Sequence, residues 1–374
     1  MLGGGQSMLR NHLRSSRSDF LQRAVIVFED SQSSEVIGLD LKGWHSPQTA
    51  QARWKRLVAP VSGCASYLNA WGAGFFAPLD GCQRRVAVLA TAWPGDKTYL
   101  SALKGRFDFV MGVSEPLVEL AHDALGLPSE RLSVVPVPIN LPDLPERPPR
   151  NFGNRPVVLG YCGRLMTAQK RVERLPPIAR ALTAAGIQHR WEIIGEGPVQ
   201  GTLAKQFAAV GATVQFRGRL SGDAYWEAIR SLDFIVFTSD YEGTPLSLAE
   251  AMSQGVLPLY AKMNSGGDRY TEQIHPALLF PVDRPDAAAA GVKAVLATSP
   301  AQWLEMERKA RLLAHGHAEN AYVKQFEAGV RTAYQLPRIS MVTPPNVATA
   351  LGLHLPFAVL GRLNPENPLR RGLG

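Results

Sequence analysis

At 374 residues the chain exceeds one ordinary core and fits roughly two domains of about 100 to 200 residues each. Its 45% hydrophobic content with 19% charged residues excludes a disordered chain, which would have far fewer apolar groups to bury. The formal net charge of +8 favours anionic partners, such as phosphates, nucleic acid or an acidic membrane face, without selecting among them.

The first 150 residues hold 16 Lys and Arg against 14 Asp and Glu, so most of the basic excess falls later in the chain. Three cysteines, Cys64, Cys82 and Cys162, form no CxxC pair and are odd in number, which argues against a disulfide framework or a zinc site. A reducing cytoplasm is the simple expectation. No apolar run reaches the roughly 20 residues needed to span a bilayer, and the start lacks the pattern of a cleaved leader.

In chain order, the front end raises the first question. A doubly wound domain should begin with a strand that runs into a Gly-rich turn, yet "MLGGGQSMLRNHL" begins at the turn itself. Either the chain begins late or the first domain lacks its first strand. Arg10, Arg14, Arg17 and Arg23 lie on or near the first helix, where they form either a solvated face or a peripheral contact with an anionic membrane. Short runs rich in Val, Ile and Phe follow: "AVIVFED", "RRVAVLAT", "FDFVMGVS" and "LSVVPVP" before residue 140, then "PVVLGYCG", "RWEIIGEG", "ATVQFRG", "DFIVFTSD" and "VLPLYA". Continuous apolar strands alternating with helical segments indicate parallel sheets covered on both faces. The fold class is therefore α/β, with two doubly wound domains facing across a cleft.

Between the halves, "PVPINLPDLPERPPRNFGNRP" carries seven prolines, which forbid both a helix and a central strand. The division is 1–138 for a first domain, 139–155 for the linker, 156–335 for a second domain and 336–374 for an irregular tail. The apolar stretch "VATALGLHLPFAVLG" in that tail is broken by Pro356 and reads as packed chain.

The most informative stretch is "SDYEGTPLSLAEAMSQG", Ser239 to Gly255. Thr244 and Pro245 read as a helix start, with Thr as the cap and Pro at the first helical position, and Gly255 as the stop. The free amides of Leu246 and Ser247, backed by the helix dipole, would make an anion seat. Glu250 lies about 7 to 8 Å along the helix axis from that start, so it would grip a group beside the anion. A carboxylate accepts two hydroxyls, which suits a ribose at Glu250 and a second polyol at Glu242: a nucleotide sugar. The plainer alternative makes Glu242 a solvated loop residue and Glu250 a salt-bridge partner.

Strand "VVLGYCG" ends at "GRLMTAQK", which places Gly163, Arg164 and Lys170 at the carboxyl end of a strand, where open α/β sheets bind ligands. An Arg fork and a Lys point charge match a developing diphosphate. Gly195, Glu196 and Gly197 form another strand-to-helix turn, without the third glycine of a dinucleotide motif. Arg219 and Leu220 follow the next strand, where their backbone could face a base.

These pieces, in this order, resemble the C-terminal donor domain of the retaining glycosyltransferases of family 4 (glycosyltransferase group 1), which have the GT-B fold. The likeness runs from about Val157 to Phe280 and rests on "GRLMTAQK", "WEIIGEGP", "VQFRGRLS", "DFIVFTSDYEGTPLSLAEAMSQG" and "PLYA". It implies that Arg164 and Lys170 bind the diphosphate and that Glu242 sits at the donor sugar, with help from the backbone of Gly243, Thr244, Pro245, Leu246 and Ser247. Glu250 would hold the ribose. The first half is less similar: "GGGQSMLRNHL", with Gly4, Gly5 and Gln6, looks like the family's Gly-rich loop that faces the diphosphate and acceptor. After "RRVAVL" the family often has a His, where this chain has Ala90 or Thr91. His12 and His45 read as solvated or packed residues.

The function implied is transfer of a hexosyl group from a nucleotide-diphosphate sugar to a glycan, glycolipid or polysaccharide precursor, with retention of configuration. Its alternative is a non-catalytic relative that binds nucleotide sugars or glycans. The sequence has no Asp-x-Asp motif, so the reading includes no metal and no cofactor, and it includes no nucleic-acid partner because no binding motif accompanies the diffuse charge. It leaves the base, the sugar, the acceptor and the oligomeric state open.

Overall fold

The computed structural model describes residues 155–340 without a break, most of 83–142, the segments 44–58 and 65–69, and a few short pieces before them. Gly4, Gly5, Gln6, the stretch where a first strand would stand and the tail beyond residue 340 lie outside the described residues. Among the described residues no helix is long and apolar enough to cross a membrane.

The first half opens with β1 (Val25–Val27) and β2 (Val36–Gly38), which pair in parallel with each other, and helix α1 (Pro47–Val58). A four-stranded parallel sheet follows, made of β3 (Ala65–Asn69), β4 (Arg84–Leu89), β5 (Phe109–Gly112) and β6 (Leu132–Val134) in that spatial order. Helices α2 (Asp96–Ser101) and α3 (Glu115–Leu125) lie between β4 and β6 in sequence. Of these strands, β2 and β3 carry no continuous apolar run and escape a search by apolar periodicity.

The second half alternates strictly. Its elements are β7 (Val157–Cys162), α4 (Leu175–Ala184), β8 (His189–Ile194), α5 (Gln200–Ala209), β9 (Val214–Gly218), α6 (Gly222–Ser231) and β10 (Phe234–Phe237). Then come α7 (Leu246–Ser253), β11 (Leu257–Lys262), α8 (Gly266–Ile274), β12 (Leu279–Pro281), α9 (Pro285–Leu296) and α10 (Pro300–His315). All six strands are parallel, in the order β12-β11-β10-β7-β8-β9. The strands fill with Val, Ile, Leu and Phe because helices cover both faces. Chain order runs outward in opposite directions from β7 and β10, so their junction is the topological switch point.

The last helix, α11 (Glu319–Gln335), does not stay with the second half, to which a boundary at 335 assigns it. Tyr322, Val323, Phe326, Val330 and Ala333 join the core of the first sheet with Phe109 and Met111. The chain thus crosses between the halves twice, and the two crossings are tied together. Ile139 N donates to His317 O at 3.0 Å, and His317, buried and neutral, bridges Val137 O at 3.1 Å and the Tyr270 hydroxyl at 3.0 Å. Burial pulls its pKa down to about 4, so that bridge does not titrate near neutrality.

Beyond α11 the chain is latched to the first sheet. Arg84 donates to the carbonyls of Ala333, Tyr334 and Leu336, where a helix end leaves its last carbonyls unsatisfied. Arg85 and Asp108, both fully buried, form a two-bonded ion pair, and each also binds the backbone of Ile339. Burial pushes the Asp108 carboxyl up, but bonds from Arg85 and the Ile339 amide outweigh it and hold the group below the ordinary carboxylate range.

Asp108→Ala strands the Arg85 guanidinium in the core and should lower stability by about 3 to 5 kcal/mol at neutral pH, read by denaturant titration. Because the folded-state pKa is depressed, the contribution of Asp108 is present above its ordinary value near 3.8 and is lost as pH falls through the folded value. The gap between wild type and Asp108→Asn should therefore close in acid.

Candidate functional site

At the switch point, the loops after β7 and β10 leave the sheet on opposite sides and open a crevice at the carboxyl ends of the strands. The loop after β7 runs through Gly163, Arg164 and Lys170; the loop after β10 runs through Glu242 to Ser247. Backbone and side chains zip them together. Asp240 N donates to Gln169 O at 2.9 Å, Gln169 Nε2 to Tyr241 O at 3.2 Å, and Thr238 Oγ1 to Lys170 O at 3.1 Å. Asp240 in turn receives Arg171 Nε at 2.5 Å and Arg174 Nη1 at 2.7 Å, which pins Arg171 in the left-handed region at φ 49.

The zipped loops bring the charged residues expected from sequence to one place. Lys170 Nζ donates to Glu242 Oε1 at 2.5 Å, Ser239 Oγ donates to the same oxygen at 2.7 Å, and Glu242 is only 5% exposed. Arg164 joins through Gln169, whose Oε1 accepts from Arg164 Nη2 at 3.3 Å. Tyr161 OH donates to Arg164 O at 2.8 Å and props that turn from beneath; burial is the main reason its pKa stands well above the ordinary value. The plainer expectation, a solvated Glu242, does not hold.

The helix start differs in detail from the sequence expectation. Helix α7 begins at Leu246 with Pro245 as its N-cap, and no side chain caps it. Thr244 does not cap, because its Oγ1 donates to Val113 O of the first half at 2.9 Å. Gly255 stands just beyond the C-cap Gln254, at φ 70. The amides of Leu246 and Ser247 remain at the open end of the helix, while Ser247 Oγ donates to Cys162 O at 3.2 Å and holds that end against the tip of β7.

Glu250 lies one turn into α7, half-buried. Among the described residues it forms no ion pair, contrary to its plainer expectation; its Oε2 accepts from the Tyr225 hydroxyl of α6 at 2.5 Å. The Tyr225 oxygen also receives Cys162 Sγ at 3.6 Å. Burial raises the Glu250 pKa against the lowering effect of Tyr225, and burial lifts the Cys162 thiol to about 12.

The remaining turns close the crevice beyond β7. Gly195, at φ 133, packs so tightly that a Cβ there would meet Gly163 O at 2.0 Å, which is why no other residue fits. Gly197 lies as close to Leu165 O, and Leu165 N donates to Glu196 O at 2.9 Å. Glu196 Oε1 accepts from Arg219 N at 3.4 Å. Leu220 is half-buried and packs against the core of the second half.

Across the crevice stands the first half. A Cβ on Gly243 would meet Ala90 O at 2.1 Å, so the loop after β10 touches the end of β4 at Ala90, where the family's histidine is replaced. Thr91 Oγ1 and Ser114 Oγ are buried there with no hydrogen-bond partner among the described residues. His12 and His45 are packed: His12 lies 2.5 Å from the Tyr322 hydroxyl and His45 3.2 Å from Arg53. Sequence reasoning missed Tyr225, Gln169 and Ser239. A polar residue three before Glu242 was the available signal for Ser239, whereas Tyr225 reads in sequence as an ordinary helix position. Among the described residues no group of three His, Cys, Asp or Glu side chains is placed to hold a metal ion.

Residues 145–312 match the family described as glycosyl transferases group 1. No curated protein sequence matches the chain. Several solved structures do. HepE from Anabaena, solved with UDP, has a TM-score of 0.67 at 17% identity, over 89% of this chain and 97% of HepE. The lipopolysaccharide outer core galactosyltransferase WaaB has a TM-score of 0.62 at 18% identity, over 76% of this chain and 80% of its own. TarM from S. aureus, solved with fondaparinux, alpha-GlcNAc-glycerol and UDP, has a TM-score of 0.60 at 14% identity over 75% of this chain, which spans 58% of TarM's length. The architecture is thus the expected one: α/β, of GT-B type, with parallel sheets in both halves.

Proposed function

We propose that the chain is a glycosyltransferase that moves a hexosyl group from a nucleotide-diphosphate sugar to a glycan, glycolipid or polysaccharide precursor, with retention of configuration. One observation carries this reading: Arg164, Lys170, Glu242, Glu250 and the open start of α7 converge at the switch point of the second sheet. The match of residues 145–312 to group 1 glycosyl transferases supports it, as does the likeness to structures solved with UDP.

The chemistry follows from charge. Cleaving the sugar–phosphate bond develops negative charge on the diphosphate, and preorganised cations and amides stabilise it where it develops. Arg164 offers a fork, the amides of Leu246 and Ser247 a partial positive charge, and Lys170 three donors, of which the bond to Glu242 uses one. Glu242, held by Lys170 and Ser239, keeps an oxygen for sugar hydroxyls. In a same-face transfer the departing phosphate oxygen can take the acceptor proton, so the reaction has no need of an imidazole at Ala90 or Thr91. The cations here take the part that a divalent ion plays in metal-dependent transferases, and we assign no cofactor. Glycan or glycolipid acceptors would approach from the first half, with Gly4, Gly5 and Gln6 and a peripheral membrane contact as further parts of the proposal.

A second reading, binding without transfer, is favoured by the absent imidazole and by the close contact between Gly243 and Ala90. Lys170→Ala separates the two. A transferase should lose about 100- to 1,000-fold in kcat, with radiolabelled nucleotide sugar followed into product or, without acceptor, into free sugar. A binding protein shows no turnover to lose. Glu250→Ala should weaken binding of the nucleotide sugar about 10- to 100-fold, the worth of a hydrogen bond to a charged group. Calorimetry with UDP-, GDP- and ADP-sugars measures this, and equal affinity in the variant would remove the ribose assignment.

A further inference from the structure

Tyr225 is a half-buried polar residue that the proposed chemistry leaves unused, and its hydroxyl is aimed at a single target. It reaches across from α6 to Glu250 Oε2 on α7 at 2.5 Å, the length of a strong hydrogen bond to an ionised acceptor. Among the described residues Glu250 Oε1 has no hydrogen-bond partner, so the tyrosine commits one oxygen and leaves the other. The phenol is itself braced: Cys162 Sγ approaches its oxygen at 3.6 Å from the end of β7, and Ser247 Oγ ties α7 to that same residue.

We infer that Tyr225 is a positioning residue for the nucleotide ribose: it fixes the Glu250 carboxylate in one rotamer and in its charged form, with Oε1 presented to a ribose hydroxyl. This rests on the reading of Glu250 as the ribose ligand. A carboxylate that is half-buried and makes no ion pair would otherwise drift toward the neutral acid, which no longer offers two accepting oxygens. A helix-borne tyrosine is a stiff donor, with few rotamers to lose, and is better suited than a lysine or water to hold one geometry.

The groups facing Glu250 allow a clean titration. Tyr225 on α6 and Cys162 on β7 are both held neutral by burial, the phenol well above its ordinary value and the thiol at about 12. Arg230, one turn further along α6, is taken up by Gln254 Oε1 at 3.0 Å, and Lys170 is bonded to Glu242. Within α7, Ser253 Oγ binds the Glu250 backbone oxygen and not its carboxylate. Glu250, whose pKa burial raises against the lowering bond from Tyr225, is thus the carboxyl whose protonation a pH profile of binding would follow.

Tyr225→Phe keeps the ring and removes the donor. Binding of UDP-glucose, GDP-mannose and ADP-glucose is measured by calorimetry from pH 5 to 8, in wild type, Tyr225→Phe and Glu250→Gln, with thermal melting to check that each variant folds. In the ligand that binds, the phosphodiester charges do not change over this range. Losing a bond to the charged form raises the Glu250 pKa, so the acid midpoint of binding should move to higher pH in Tyr225→Phe. Affinity should stay within about threefold of wild type at the alkaline end, and the shortfall should widen toward about 10-fold as pH falls. Glu250→Gln, which cannot titrate, should give a flat profile. Parallel wild-type and Tyr225→Phe curves, whether coincident or offset by one factor at all pH values, would overturn the positioning role. Unchanged affinity in Glu250→Gln and Glu250→Ala would overturn the ribose assignment beneath it, and binding of none of the three sugars would overturn both.

Discussion

The molecule depends on the reversal of strand order at β7 and β10. In a parallel sheet every loop at the carboxyl edge heads for one face or the other, and only where neighbouring strands send theirs apart does a crevice open without any residue being removed. In this chain the two strands that part company are followed by "GRLMTAQK" and "SDYEGTPLS". The sheet therefore decides that a basic loop and an acidic loop become neighbours; the side chains then decide how near. The Asp240 clamp on Arg171 and Arg174 joins loops that are about 70 residues apart in sequence, and their close alignment lets Lys170 and Glu242 meet within hydrogen-bond distance.

A consequence is that the two halves of the crevice are built to different standards. On the second-half side nearly every polar group has a partner: Ser239, Gln169, Ser247 and Tyr225 each hold a loop or a charge in place. On the first-half side, Thr91 and Ser114 bury hydroxyls with no partner among the described residues. Ser114 is the N-cap of α3, yet its hydroxyl does not cap. An unsatisfied buried hydroxyl costs about 1 to 3 kcal/mol, so the contact of Gly243 and Thr244 with the first half is the least favourable part of the surface they share. The second-half side is preorganised, whereas the seam with the first half is bridged by the Thr244 bond to Val113, by glycine contacts and by Arg269, which pairs with Glu119 at 3.1 Å and Glu115 at 3.8 Å.

How much of this was legible in the sequence depends on the kind of interaction. Apolar runs revealed nine of the strands because burial on both faces forces Val, Ile, Leu and Phe into them. They failed for Val36–Gly38, Ala65–Asn69 and Leu279–Pro281, each at an edge of its sheet. The meeting of Lys170 with Glu242, and of Arg164 with them through Gln169, was legible because strand-to-helix turns put these residues at one edge. The destination of Thr244 was not: a threonine before a proline is a good cap by local rules, and only the approach of Val113 from the other half diverts its hydroxyl. Nor was the destination of α11, whose periodicity shows an apolar face but not which core receives it.

The same distinction explains Tyr225. Its contact with Glu250 spans 25 residues and two helices, and nothing in "SGDAYWEAIRS" separates a tyrosine that packs from one that donates. What separates them is the fate of the hydroxyl once the ring is buried. A phenol in an apolar setting must find an acceptor, and here the strongest acceptor within reach is a carboxylate that has no cation. Each group relieves the other's desolvation: the tyrosine gains an acceptor, and the glutamate a donor whose pKa burial holds well above the ordinary value, so that it keeps its own proton. Such an exchange keeps a charge available at a half-buried position without an ion pair. That is the condition a ligand with neutral hydroxyls requires, because a salt-bridged carboxylate would have to give up its cation first.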